Sequence, residues 1–307
     1  MTTLAPPAVR GQESKTAKGG RGGSVVWMAV PAAVYFFAFG VIPLLGVLFL
    51  SFTTWDGIGD IKFTGLTSWK AELTDPGLPH SLWVTFEIMI LSWLVQTPIS
   101  ILLGVFTASF KRYRALLAVL YFIPLLLSGV AISITFKALL DPNFGLGAGF
   151  GIDALKQDWL GQPKLAMATL IFVVSWQWIP FHSLIYQGAV RQIPGSLYEA
   201  SQIDGAGRMR QFFWITLPQI KYTIITSSTL MVVGSLTFFD LIYVLTGGGP
   251  GDSTRALALE MYQKGFMANL MGPASCIAVI LVLLGVVLAQ LLRRLGGRGD
   301  ESMMEGV

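Results

Sequence analysis

Six apolar stretches, each long enough to cross a bilayer, dominate this 307-residue sequence. A helix rises about 1.5 Å per residue, so a hydrocarbon core of about 30 Å takes about 20 apolar residues. Runs of that length cover residues 25–52, 82–110, 115–140, 165–190, 222–245 and 273–292. In lipid every backbone polar group needs an internal partner, so the runs are predicted as helices despite Pro31, Pro43, Pro98, Pro124 and Pro180, each a candidate kink. The expected fold is therefore all-α, a polytopic integral membrane protein with six transmembrane helices.

Charge distribution sets the expected orientation. Only 12% of residues are charged, against about 25% in soluble domains, and 53% are hydrophobic. The 21 basic residues fall in short clusters between apolar runs, a membrane-topology pattern and not a nucleic-acid patch. Fourteen lie in one alternate set of segments: Arg10, Lys15, Lys18 and Arg21; Lys111, Arg112 and Arg114; Arg191, Arg208, Arg210 and Lys221; Arg293, Arg294 and Arg298. The other set holds seven: Lys62, Lys70, Lys137, Lys156, Lys164, Arg255 and Lys264. The positive-inside rule places both termini and the 191–221 loop in the cytoplasm. The expected organisation is a flexible cytoplasmic tail (1–24), a six-helix transmembrane domain (25–292) and a second cytoplasmic tail (293–307). The first apolar run is longer than the 7 to 15 residues of a signal-peptide core, so it is expected to be an uncleaved helix.

A lone Cys276 allows no intramolecular disulfide and no Cys-based metal site, and its apolar run points to packing. His80 and His182 are too few and too far apart for a ligand pair. Glu87 and Lys137 lie near predicted outer ends, where snorkelling satisfies charge without a function.

The loop between the fourth and fifth runs is long and carries its own structure signals. Ser196 with Glu199 has capping-box spacing, which predicts a short helix after Ser196, stopped by Gly205 and Gly207. Leu197, Ala200 and Ser201 then share a face with small side chains, open to close approach by a partner. Met209, Phe212, Phe213 and Ile215 predict a second short amphipathic helix closed by Pro218.

Glu199, Ala200, Gly205, Ile215, Leu217 and Pro218 stand at the spacing of the cytoplasmic "EAA" loop, and the chain resembles the binding-protein-dependent ABC importer permeases that carry it. Ser201 replaces the second Ala of that pattern. Phe238, Phe239, Asp240, Tyr243 and Thr246 to Pro250, followed by Thr254, Tyr262 and Phe266, resemble the fifth helix and outer loop of the carbohydrate-importing branch of the maltose-type importers. The resemblance implies a type I importer permease fold in the bacterial cytoplasmic membrane, with the elbow acting as an ATPase-coupling helix. The implied partners are a second related permease, two ATPase subunits, an extracytoplasmic solute-binding protein and a sugar or oligosaccharide. No cofactor is expected in this chain, with ATP and Mg in the ATPase. A permease for another small solute is the nearest alternative.

Asp240 is the clearest ionisable residue within an apolar run, and such residues face a protein interior or a water-filled cavity. It reads equally as a translocation-path residue and as a polar group satisfied by a neighbouring helix. In the fourth run, Gln177 and Phe181 share one helical face, and Trp178 and His182 the adjoining one. Aromatic faces stack on sugar rings and amides bond hydroxyls, while packing against lipid or neighbouring helices explains each residue taken singly. These five and Tyr243 are the candidate substrate-path residues.

Other classes fit less well. No Walker A sequence occurs, so ATP hydrolysis is expected in a separate subunit and this chain is not itself an enzyme. The glycine-rich stretch from Gly145 to Gly151 follows an apolar run and no strand, so a flexible outer loop is expected there and not a dinucleotide site. Secondary transporters tend to show internal repeats and midplane ionisable residues, and membrane enzymes need clustered His, Asp or Glu; this sequence has little of either.

Overall fold

The computed structural model describes residues 22–108 and 112–296. Residues 1–21 of the predicted leading tail, Lys111, and residues 297–307 of the trailing tail lie outside the described residues. The chain divides after Gly46 into two compact units.

In the first unit, α1 (Gly22–Phe36) passes into a π segment (Phe37–Val41) and then into the start of α2 (Ile42–Leu50). Pro43 has no N–H to give Phe39, and the turn before it widens so that the Ile42 N–H reaches Phe37 O. Pro31 sits inside α1.

The second unit opens with the end of α2 and a hairpin of two-residue strands, β1 (Thr53–Thr54) antiparallel to β2 (Lys62–Phe63). Asp56 Oδ1 accepts the Ile58 and Gly59 N–H groups in its turn, and these bonds hold the carboxyl below the usual carboxylate range. After α3 (Thr67–Leu73) come the long α4 (Gly77–Thr107), then α5 (Arg112–Leu126), α6 (Gly129–Leu139), α7 (Leu146–Phe150) and the long α8 (Pro163–Arg191). The elbow comprises α9 (Gly195–Ile203), α10 (Arg208–Gln211), a π turn (Phe212–Thr216) and α11 (Leu217–Gln219). Then follow α12 (Lys221–Ser235), α13 (Asp240–Leu245), α14 (Leu257–Tyr262) and α15 (Met271–Gly296). Pro98 and Pro180 lie within α4 and α8 without interrupting them.

Among the described residues, four helices are single apolar spans: Trp27–Leu50, Gly77–Thr107, Pro163–Arg191 and Met271–Arg294. The other two expected single helices are corrected. The 115–140 run turns by 103° between Val119–Leu126 and Gly129–Leu139. Ser128 is extended there (ψ 147) and its hydroxyl accepts the Ala131 N–H, starting a new helix where the apolar run continues. The 222–245 run breaks at residues 236–239, leaving α12 with 15 residues, about 22 Å and short of a full span. Tight turns close α12: Thr237 N–H reaches Gly234 O and Phe238 N–H reaches Ser235 O, while the Ser235 and Thr237 hydroxyls bond back to Val232 O and Gly234 O. Residues 145–151, expected as a flexible loop, include the short α7. The chain before it is turned by Asp141, whose Oδ1 accepts the Asn143 and Phe144 N–H groups.

Two apolar clusters mark levels along α4 and α8. One joins Val84 and Ile88 of α4, Ile132 of α6, Leu170 and Val174 of α8, and Ile242 and Leu245 of α13. The second joins Ile101 of α4, Tyr186 of α8 and Ile220, with Phe212 and Leu217 of the elbow packed against it. Cys276 is buried, with Sγ 3.5 Å from Ser51 O.

Candidate functional site

Between those two clusters lies a cavity of about 440 Å³. Along α4 it falls at Gln96, between Ile88 and Ile101; along α8 it falls at Gln177, Trp178, Phe181 and His182, between Val174 and Tyr186. The two helix breaks add Gly129 from the first and Thr237, Phe238 and Asp240 from the second, and α12 adds Leu230, Met231 and Gly234, with Leu241 from α13. Each side chain has a local reason for its place. Gln177 is buried and its Nε2 donates to Leu127 O at 3.2 Å, a carbonyl freed by the first break. His182 Nδ1 and the Ser227 hydroxyl of α12 are 2.9 Å apart, and Phe181 meets the rings of both Trp178 and His182 edge-on. The Ser133 hydroxyl bonds Leu241 O at 3.2 Å, tying α6 to α13.

Asp240 opens α13, where the helix N-terminus favours an anion. Its side chain is exposed in the cavity wall, and no Lys or Arg among the described residues pairs with it. Gly129 makes room for it: a Cβ at 129 would lie 2.6 Å from Asp240 Oδ2. The fold thus brings together five of the six candidate path residues: Gln177, Trp178, Phe181, His182 and Asp240. Tyr243 is not among the lining residues; its ring stacks on Phe239 (5.6 Å) and tilts against Tyr262 (5.3 Å). Gln96, Gly129 and Thr237 were missed. A lone amide in the apolar 82–110 run was the one signal available for Gln96.

The elbow is built differently from its expected form. α9 begins at Gly195 behind Pro194, with no side-chain cap, so the Ser196–Glu199 capping box does not form. Pro194 fixes the entry turn and Glu199 stays exposed. The helix end follows the glycine reading. Gly205 takes φ +75, with its N–H on Gln202 O and the Ala206 N–H on Ser201 O, a left-handed stop that closes the last carbonyls. The second helix is shorter than expected because a π turn follows Gln211, and Pro218 lies inside α11 while the chain turns at Ile220. Ser201, the departure from the family pattern, has a use: its hydroxyl accepts from Gln211 Nε2 at 2.8 Å, and Tyr198 OH meets Thr216 Oγ1 at 2.9 Å. These bonds pin the two arms of the elbow together. Ala200, Ile203, Met209, Phe213 and Trp214 are exposed on it.

One ion cluster had no counterpart in the sequence reading. Lys264 Nζ lies 2.7 Å from Glu72 Oε1, 2.7 Å from Asp75 Oδ2 and 3.0 Å from Glu260 Oε1. Burial pushes the Glu72 carboxyl up, partly offset by its bond to Lys264, whereas that bond holds the more open Asp75 carboxyl down. Burial disfavours the Lys264 ammonium, but its bonds to Asp75, Glu72 and Glu260 win and raise it. Only the Glu260–Lys264 pair, four apart, is visible as a spacing.

Long apolar helices around a cavity walled by helix breaks, with a folded elbow packed at one end, define a permease-class membrane protein. Residues 96–298 match the family described as binding-protein-dependent transport system inner membrane component, and the chain belongs to that family. It is a multi-pass membrane subunit of an importer, with the type I permease fold, and its work is passage and not catalysis. The chain is 30% identical over 280 residues to the probable ABC transporter permease protein YurN of Bacillus subtilis, covering 89% of this chain and 96% of that one. It is 30% identical over 259 residues to the multiple sugar-binding transport system permease protein MsmF of Streptococcus mutans, covering 83% and 88%. The fold matches a chain in the crystal structure of a bacterial alginate ABC transporter, bound to its alginate pentasaccharide-loaded periplasmic protein. The TM-score is 0.77 at 21% identity, over 91% of this chain and 95% of that chain.

Proposed function

We propose that the chain is one of two permease halves of an ATP-driven importer in a bacterial inner membrane, and that it passes a sugar or oligosaccharide through the cavity at Asp240, Gln177 and Trp178. The observation that carries this reading is the meeting of a carboxylate, two amides and aromatic rings in one cavity of about 440 Å³, the mix that holds hydroxyl-rich rings. Relatives named for multiple sugars and for arabinooligosaccharides support it. A related permease completes the pathway, a binding protein delivers solute outside, and two ATPases that hold ATP and Mg receive the elbows of residues 191–221. The basic-residue distribution supports six passages with both termini inside, the bent and broken runs each counting as one. ATP-driven closure moves the elbows as rigid bodies and exposes the cavity outward; hydrolysis returns it inward.

The test is uptake into proteoliposomes with binding protein and ATPase held constant. A lost hydrogen bond is worth about 0.5 to 1.5 kcal/mol, more when charge-assisted, so Asp240→Ala should weaken sugar transport several-fold without preventing assembly. Trp178→Ala should do the same through lost stacking. Normal transport by both variants reduces these residues to packing, and stimulation by an amino acid and no sugar removes the carbohydrate assignment.

A further inference from the structure

We infer that the cavity selects solutes by charge, admitting neutral and amino-bearing carbohydrates and rejecting acidic ones such as uronates. The inference rests on the carbohydrate reading above and adds the charge class of the substrate. Asp240 is the one carboxylate among the lining residues, and no Lys or Arg lines the cavity to balance it. His182, the other titratable lining residue, has Nδ1 engaged by the Ser227 hydroxyl. Asp240 enters the cavity from the first residue of α13, and the absence of a side chain at Gly129 leaves room for its carboxylate. The remaining wall is apolar or offers neutral amides and hydroxyls: Leu230, Met231, Phe238 and Leu241 beside Gln96 and Thr237. In such a wall the carboxylate is an acceptor with no donor among the described residues. A solute hydroxyl or ammonium supplies that donor through a charge-assisted bond. A solute carboxylate supplies a second negative charge beside the first, a repulsive element of the kind that sets specificity. Attraction and repulsion act on the same atom, so a single side chain separates the two solute classes.

The experiment measures direct solute binding to the full complex in detergent, without the binding protein, by titration calorimetry. The probes are matched neutral, amino and uronic trisaccharides of gluco, galacto and manno configuration. Neutral or amino members should bind, and the uronic member of the same configuration should bind about tenfold or more weakly at low salt, with the gap narrowing as salt is raised. In Asp240→Asn the neutral sugar should lose affinity several-fold and the gap to the uronic sugar should close. Uronic sugars binding as well as neutral ones, or an unchanged gap in Asp240→Asn, overturns the charge inference while the carbohydrate reading stands. If that variant fails to fold, the salt series on the unaltered protein decides the matter, and a gap that stays constant as salt is raised overturns the charge inference. Binding of none of the sugars, with an amino acid binding in their place, overturns both.

Discussion

The distance between Gly129 and Asp240 gives a direct handle on the cavity. A methyl group at 129 would sit 2.6 Å from Asp240 Oδ2, too close to remain, and the carboxylate is the end of a side chain that can turn away. Gly129→Ala should therefore raise the solute concentration needed for half-maximal uptake several-fold while assembly stays normal, and Gly129→Leu should do more. Unchanged uptake in both would show that the carboxylate's position does not matter. Lys264 poses the opposite problem, a cation that three carboxylates need. Its removal leaves Glu72 and Glu260 buried without a counter-charge, and breaking such a pair is worth about 3 kcal/mol. The Glu72 carboxyl is already pushed up by burial, and without Lys264 it moves further from its unfolded value. A carboxyl raised in the fold destabilises above its folded pKa, and that deficit fades as pH falls toward the unfolded value. Lys264→Met should thus lower the thermal midpoint of the solubilised complex more at about pH 7.5 than at about pH 5.5. Asp240, Gln177, Trp178, Phe181 and His182 were legible because a polar or aromatic group in an apolar run must find a reason. Glu72 with Lys264 was not, since their pairing spans 192 residues and leaves no periodicity.

At the scale of elements, the elbow's first helix depends on its left-handed stop. Gly205 holds φ +75 and donates to Gln202 O; proline is fixed near φ −65 and has no N–H to donate. Gly205→Pro should leave the chain inserted but abolish stable ATPase association or solute-stimulated hydrolysis, whereas Gly205→Ala, strained by roughly 1 to 2 kcal/mol, should retain part of both. Wild-type assembly and hydrolysis in the proline variant would show that the elbow does not couple. The stop was readable because its cause is local, a glycine beyond a short helix. The breaks at Ser128 and at 236–239 were hidden for a converse reason: hydropathy stays high across both, and only hydroxyls bonding back to nearby backbone mark the ends. Four long spans announced themselves by length, while the two broken runs read as unbroken helices because composition carries no angle.

For the whole molecule, the orientation inferred from basic residues is open to direct labelling. With the buried Cys276 replaced by Ala, a single cysteine at the exposed Ser196 should react with impermeant thiol reagents only from the cytoplasmic side, and one at Ile58, 93% exposed, only from outside. Reversed labelling would undo the orientation and the elbow's assignment together. The arrangement of the cavity between two apolar clusters on α4 and α8 has an electrical meaning as well. A living membrane is a charged capacitor, and each elementary charge that slips through is driven by about 2.3 kcal/mol per 100 mV. A chamber within the bundle interrupts the apolar barrier that holds this voltage, so the layers that border it carry more of that task. Val84, Ile88 and Val174 on one side of it, and Ile101, Tyr186 and Ile220 on the other, are the apolar layers that border it along α4 and α8, so the packing that steadies the bundle also stands where a barrier to charge is needed.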